Sequence, residues 1–401
     1  VNEYLNKISM ISRNARRFLI GGLFNGLGMA VFSLLFNLYL KEYGYGEGVI
    51  GQILSLGALG AAVIAVPAAI LIERFHIKHI LIITTLLASA AYALQIYFKE
   101  IGMIMAFSFL ATMFITVYRV SVAPFFMRNS TEKERIYLFS ISYAVMMFSQ
   151  FAGFMAGGYL PNMLMRLGFS VSKISAYETS LYMSIIMTIV SVIPFSRIDQ
   201  KPVPPVKTVL RERIKDIDWH IIFRLMIPKI LVGMGAGLVI PFMNLYFKIV
   251  FGLESDTIGI YFSILQIFMF VGMLCAPFLT QRFGMIKSIV FTELASIPFM
   301  LLLAITTDIR IAVAAFVLRG TLMNMNIPIS SNFEMELVED RNRPLTNAVS
   351  MLSWNAAWTL SAHFGGGIIE KYSFTLSFFI TVGLYFFSAA TYYMFFKDKR
   401  H

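Results

Sequence analysis

A single cysteine stands in the 401 residues, Cys275, inside an apolar run. It excludes an intramolecular disulfide and any cysteine cluster for a metal. Charge is scarce as well. Asp, Glu, Lys and Arg make up 14% of the chain, where soluble domains carry about a quarter, so these residues cannot clothe an ordinary water-facing surface. Acids are scarcer than bases, 22 Asp and Glu against 33 Lys and Arg. No Walker loop, zinc spacing or nucleophile elbow occurs, which leaves nucleotide hydrolysis and soluble-type catalysis without a motif. No enzyme activity, cofactor or metal is therefore expected. No cleavable leader is expected either: the first apolar run is too long for one and follows a basic tail.

What the chain has in abundance is apolar length. Hydrophobic residues reach 58% and mean hydropathy is +0.74. Runs of about 20 apolar residues recur, each long enough to cross a hydrocarbon core roughly 30 Å thick. Twelve such spans are read at about 18–40, 49–72, 80–98, 103–127, 136–160, 176–195, 220–247, 257–280, 286–306, 311–331, 346–369 and 374–396. The longest hydrophilic stretch, Ser196 to Asp218, holds Pro202, Pro204, Pro205 and many charges, and reads as a linker with a surface-lying basic helix. The expected domains are a six-helix bundle over 1–195, the linker over 196–219 and a second six-helix bundle over 220–401.

The net charge of +11 finds its explanation in topology rather than in nucleic acid. Lys41, Lys99, Arg166, Lys173, Lys248, Arg310 and Lys371 fall on one side of the spans, and Arg119, Lys229 and Arg319 within them. The remaining 23 of the 33 Lys and Arg fall on the other side. This bias predicts that both termini are cytoplasmic, and the expected location is a plasma (inner) membrane.

The phrase Asn37-Leu38-Tyr39-Leu40-Lys41 returns as Asn244-Leu245-Tyr246-Phe247-Lys248, 244 − 37 = 207 positions later. At the same offset Gly26 and Gly28 match Gly233 and Gly235. At 208, Ile50-Gly51, Ser55, Arg74-Phe75, Arg135 and Gly157-Gly158 match Ile258-Gly259, Ser263, Arg282-Phe283, Arg343 and Gly365-Gly366. Charged and glycine positions recur together with apolar ones, so the chain is read as one unit written twice.

Two parallel six-span halves joined by a basic linker resemble the major facilitator superfamily, whose architecture is a recognised case of internal repeats. The superfamily's loop between spans 2 and 3 has a counterpart in Glu73-Arg74-Phe75-His76-Ile77-Lys78, and a second in Arg282-Phe283-Gly284-Met285-Ile286-Lys287. The first copy keeps the acid, the Arg and the Lys, with His76 in place of glycine. The second keeps the glycine and loses the acid. The resemblance implies an all-α polytopic membrane protein of twelve helices in two pseudo-symmetric bundles. It implies that spans 1, 4, 7 and 10 line a central cavity, and that Glu73, Arg74, Lys78, Arg282, Gly284 and Lys287 form cytoplasmic signature loops. Arg119 differs from the span-4 Arg of proton-coupled antiporters, because Val120 and Ser121 follow it instead of a Gln-Gly pair.

Charges inside a membrane are costly and mark pathways. Arg119, Lys229 and Arg319 are thus candidates for the substrate cavity, with Asn25, Asn37, Asn244, Asn324 and Trp354 as polar or aromatic lining. Asn37 and Asn244 are expected at its outer mouth. Glu293, the one carboxylate well inside an apolar run, and His363 are the candidates for coupling to a proton or counter-ion. The expected function is secondary transport of a small anionic or polar solute by a monomer in the lipid bilayer, through alternating access. The alternatives are proton-coupled drug or sugar efflux and, from other classes, a transporter-like sensor or a multi-span membrane enzyme.

Overall fold

The computed structural model describes residues 12–130, 132–199, 219–339 and 343–397, without the side chains of 66, 69, 73, 132–136, 344 and 345. The basic linker from 200 to 218 and the side chain of Glu73 lie outside the described residues. So do Lys7, Arg341, Lys399 and Arg400 of the charge count, and the side chains of Lys133 and Arg135.

Among the described residues every regular element is a helix. In chain order they are α1 (Arg13–Tyr43), α2 (Glu47–Arg74), α3 (Ile77–Tyr97), α4 (Ile101–Asn129), α5 (Glu132–Arg166) and α6 (Lys173–Val190), which a short turn, Val192–Ser196, continues. Then follow α7 (Trp219–Val239), α8 (Ser255–Phe283), α9 (Met285–Ile305), α10 (Ile309–Glu336), α11 (Arg343–Lys371) and α12 (Phe374–Phe396). Beyond α7 the chain passes through a 3-10 turn, Ile240–Phe242, into Met243–Phe251. Pro241 lies in that turn. Its missing N–H breaks the α-helical ladder there.

Eleven of these segments are long and apolar enough to cross a membrane. The twelfth, α11, is 29 residues long and fails only on polarity, since Ser350, Ser353, Asn355, Thr359, Ser361 and His363 interrupt it. Most helices outrun the expected spans by a few residues, because a helix keeps its backbone bonds past the edge of the hydrocarbon. The largest overrun is in α5, which continues to Arg166 instead of ending near 160, and α10 continues to Glu336 instead of ending near 331.

Local chemistry sets the helix ends. Ser12 accepts the Ala15 N–H at 3.2 Å at the start of α1, Asp308 accepts the Arg310 N–H at 2.8 Å before α10, and Gly44 ends α1 with φ 107°. The signature loops differ for a reason visible in the backbone. Gly284 sits at φ 77°, which favours glycine. Its repeat mate His76 sits at φ −64° and needs none.

The described chain divides into two compact units. One takes in Val1–Gly44, Leu59–Val206 and Glu254–Ser263; the other takes in Tyr45–Ala58, Lys207–Leu253 and Ile264–His401. The first unit packs α1 on α5 and α6, and α3 on α4. The second repeats the plan with α7 on α11 and α12, and α9 on α10. In the first, Phe18 stacks on Phe125 at 4.4 Å and meets Phe195 at 5.8 Å. In the second, Leu225, Met226, Ile289, Ile329, Phe333 and Phe396 form a buried cluster. Large apolar side chains such as Phe148, Leu274, Phe278 and Phe387 stay exposed, as expected where lipid rather than water covers them.

The first unit holds the opening of α8, where the Ser255 hydroxyl donates to Gly158 O at 3.0 Å. The second unit holds the opening of α2, where the Gly48 N–H donates to Glu370 Oε2 at 2.6 Å. That carboxylate sits at a helix N-terminus, where the backbone dipole favours negative charge.

Candidate functional site

Within the first unit α1, α4 and α5 enclose a cavity of about 680 Å³. Its shape begins with small residues. A Cβ on Gly26 would lie 2.7 Å from Ser149 Cβ, and one on Gly153 would lie 2.5 Å from Ala30 Cβ and 2.8 Å from Leu27 O. These glycines let α1 and α5 touch along one stretch. Arg119 of α4 lines the cavity together with Asn25, Ser33, Ser142 and Gln150. Phe18, Met29, Val122 and Phe154 supply apolar walls.

The polar groups of this cavity lean toward donation. Arg119 is exposed and carries five N–H donors. Asn25 is 4% exposed, and its Nδ2 has no hydrogen-bond partner among the described residues. A buried orphan amide N–H is costly, and Asn25 holds this one in the wall of the cavity. Among the described residues no Asp or Glu lines the cavity. A cation and donors in a low-dielectric space favour an anion or a strongly accepting solute.

The other sequence-derived candidates stand elsewhere. Asn37 and Asn244 are both 4% exposed and neither lines this cavity. The tyrosines beside them are occupied: the Tyr39 hydroxyl donates to Glu178 Oε1 at 2.9 Å and accepts from Lys99 Nζ at 2.6 Å, while the Tyr246 hydroxyl donates to Leu303 O at 2.8 Å. Asn324 is half-buried and donates to Gly320 O at 2.8 Å. Trp354 is half-buried with its ring 5.9 Å from that of Trp358. His363 is exposed, its ring edge-on to Phe364. In the loops Arg74 and Lys287 are exposed, Lys78 is half-buried, and Arg282 lies 5.5 Å over the Phe283 ring.

Lys229 and Arg319 belong to a polar network in the second unit. Lys229 Nζ pairs with Glu334 Oε1 at 2.7 Å, and Ser350 donates to Glu334 Oε2 at 2.7 Å. Arg319, 5% exposed, donates to the Tyr385 hydroxyl at 2.5 Å. Glu293, 1% exposed, accepts from Asn326 Nδ2 at 3.1 Å. Glu334 is therefore a second carboxylate buried among the helices, and it balances Lys229. Ending span 10 near 331 hid it. The signal for it was present: Arg319, Asn326 and Glu334 are seven and eight residues apart, two helical turns each, and share one stripe of α10.

The network has no copy in the first unit. At the repeat offsets Lys229, Glu293, Arg319, Asn326 and Glu334 correspond to Gly22, Thr85, Ala111, Tyr118 and Phe126. In the other direction Asn25, Arg119 and Gln150 correspond to Val232, Ile327 and Trp358. One duplicated scaffold thus carries two different polar sites.

A sequence profile of the Major Facilitator Superfamily matches residues 18–341 and 225–401. No functionally curated protein matches the chain in sequence. Among solved structures, a bacterial homologue of the human lysosomal transporter Spinster, inward-facing and unoccupied, aligns with TM-score 0.78 at 15% identity, covering 96% of this chain and 98% of its own. The nucleoside transporter NupG aligns with TM-score 0.80 at 13% identity over 95% and 99%. A D-xylose–proton symporter aligns with TM-score 0.71 at 13% identity over 99% and 98%.

Proposed function

The chain belongs to the Major Facilitator Superfamily, and from that premise we propose that it carries a small anionic or strongly accepting solute across the membrane by alternating access, with the cavity of the first unit as its binding site. Transport of small solutes is common to the family and to the neighbours above. The nucleoside and xylose specificities of two neighbours come with 13% identity and speak for the fold alone. The observation that carries the anionic reading is the pairing of Arg119 with the orphan Nδ2 of Asn25 in a cavity without a lining acid. The positive bias of the loops supports cytoplasmic termini.

The test is a thermal-shift comparison of purified protein with inorganic phosphate, small mono- and dicarboxylates, and neutral sugars. A bound solute stabilises by RT ln(1 + [L]/Kd), about 2.7 kcal/mol at 100 times Kd. The expected result is stabilisation by at least one anion and none by the sugars. Arg119→Gln should remove that shift while leaving the unliganded unfolding temperature near the parent's, since no ion pair of Arg119 exists among the described residues. Stabilisation by neutral sugars alone, retained in Arg119→Gln, would overturn the reading.

A further inference from the structure

Among the described residues of the second unit, Glu293 Oε2, Asn326 Oδ1 and Arg319 Nε are buried without a hydrogen-bond partner. Two are acceptors and belong to residues already joined, since Asn326 Nδ2 donates to the other oxygen of Glu293 at 3.1 Å. An ionised carboxylate cannot resolve this. It only accepts, and so does the amide oxygen. One proton on Glu293 Oε2 satisfies both: the O–H donates to Asn326 Oδ1 while the amide N–H donates to Oε1, closing a ring of two hydrogen bonds. Exchanging the amide's O and N swaps the roles of the two carboxyl oxygens and keeps the ring.

The surroundings offer the charged form few donors: the Asn326 amide N–H already counted, and the hydroxyl of Ser388. α9 packs on α10 and α12. From α12, Ser388 faces the carboxyl, but its proton goes to Pro228 O at 3.1 Å. Tyr385 lies within electrostatic reach of both Glu293 and Arg319, and Tyr392 within reach of both Glu293 and Glu334. From α10, Glu334 is already matched by Lys229. The remaining charge, Arg319, gives one N–H to Tyr385 and keeps Nε unused. Glu293 is 1% exposed, which shuts its carboxyl off from water.

We propose that Glu293 and Asn326 form a buried proton-binding site in the second unit, in which the neutral acid rings with the amide, and that Arg319 answers the loss of this proton by turning from Tyr385 to the carboxylate. The proton leaves Oε2 for water, no other bond breaks, and the guanidinium compensates the charge left behind. The site is separate from the cavity of the first unit and independent of which solute that cavity takes.

Infrared spectra of lipid-reconstituted protein test the proposal without any solute. At neutral pH the parent should show the C=O stretch of a protonated carboxylic acid, and Glu293→Gln should lack it. Gln is an isostere of the neutral acid and can keep the ring, so this variant should fold, with an unchanged gel-filtration profile and unfolding temperature. Asn326→Leu should shift the band to higher frequency as its hydrogen bond is lost. In Arg319→Gln the band should persist to a pH higher by about one unit or more, because the compensating charge is gone; Arg319→Lys should titrate near the parent. A parent spectrum identical to that of Glu293→Gln overturns the proposal, and an unmoved midpoint in a folded Arg319→Gln overturns the part given to Arg319. If Arg319→Gln does not fold, the Glu293→Gln difference still decides the proton site. Failure of the anion screen leaves these spectra unaffected, so the two readings fail separately.

Discussion

The Lys229 side chain is 20% exposed, while its partner Glu334 is 2% exposed. This difference makes the pair asymmetric. Removing Glu334 leaves a lysine whose flexible stem can carry its charge toward the interface. Removing Lys229 leaves a buried carboxylate to which, among the described residues, Ser350 alone donates, and an unpaired buried charge costs roughly 3–5 kcal/mol. Lys229→Ala should therefore lower the unfolding temperature in detergent far more than Glu334→Gln does. Equal losses in the two variants would mean that the pair contributes through its geometry rather than through the unmatched charge. The same contrast separates the two arginines. Arg119 faces a cavity and is available to a ligand; Arg319 is enclosed and held by Tyr385.

At the scale of the helix, glycine marks where two backbones must approach and where nothing is in the way. Gly153 belongs to the first kind. A Cβ there would meet Ala30 Cβ at 2.5 Å and Leu27 O at 2.8 Å. Gly153→Val should push α1 from α5, costing about 1–3 kcal/mol as overpacking does, and should distort the cavity beside Arg119. Gly383 belongs to the second kind. It lies mid-helix in α12 with nothing within 4 Å of an added Cβ, so Gly383→Ala should raise stability by about 0.5–1 kcal/mol through helix propensity. Thermal unfolding of the two variants checks both signs. A comparable asymmetry appears between the leading helices of the repeat. α1 runs unbroken to Tyr43, whereas Pro241 interrupts the chain after α7, three residues before the repeated Asn244.

At the scale of the whole molecule the positive bias predicts sidedness. In a Cys275→Ser background, Asp216→Cys should react with a membrane-impermeant maleimide only in inverted vesicles. Val171→Cys, fully exposed between α5 and α6, should react only in right-side-out cells. Reversed labelling would place the termini outside.

The repeat was visible in residue types alone, because Asn37 and Asn244, or Gly51 and Gly259, stand at fixed offsets whatever the fold. Span number was legible too, even for the polar α11, whose length exceeds the hydrocarbon core. Arg119 and Asn25 could be picked out as polar residues within spans, and it was the family resemblance, not the order of residues, that put them in one cavity. Glu334 was missed because hydropathy ends a span where polar residues begin, while a helix ends where its backbone bonds do.

By itself the sequence determined class, span number, duplication and the bias of charge, because each follows from local composition against a fixed membrane thickness. The tertiary structure decided which buried charges are matched. Lys229, Glu293, Arg319 and Glu334 come from α7, α9 and α10, and the energy of a buried charge depends on the few ångströms to a partner on another helix. Only the packing of those helices sets that distance, which is why one bundle presents unpaired donors to a cavity and the other encloses a carboxyl–amide pair.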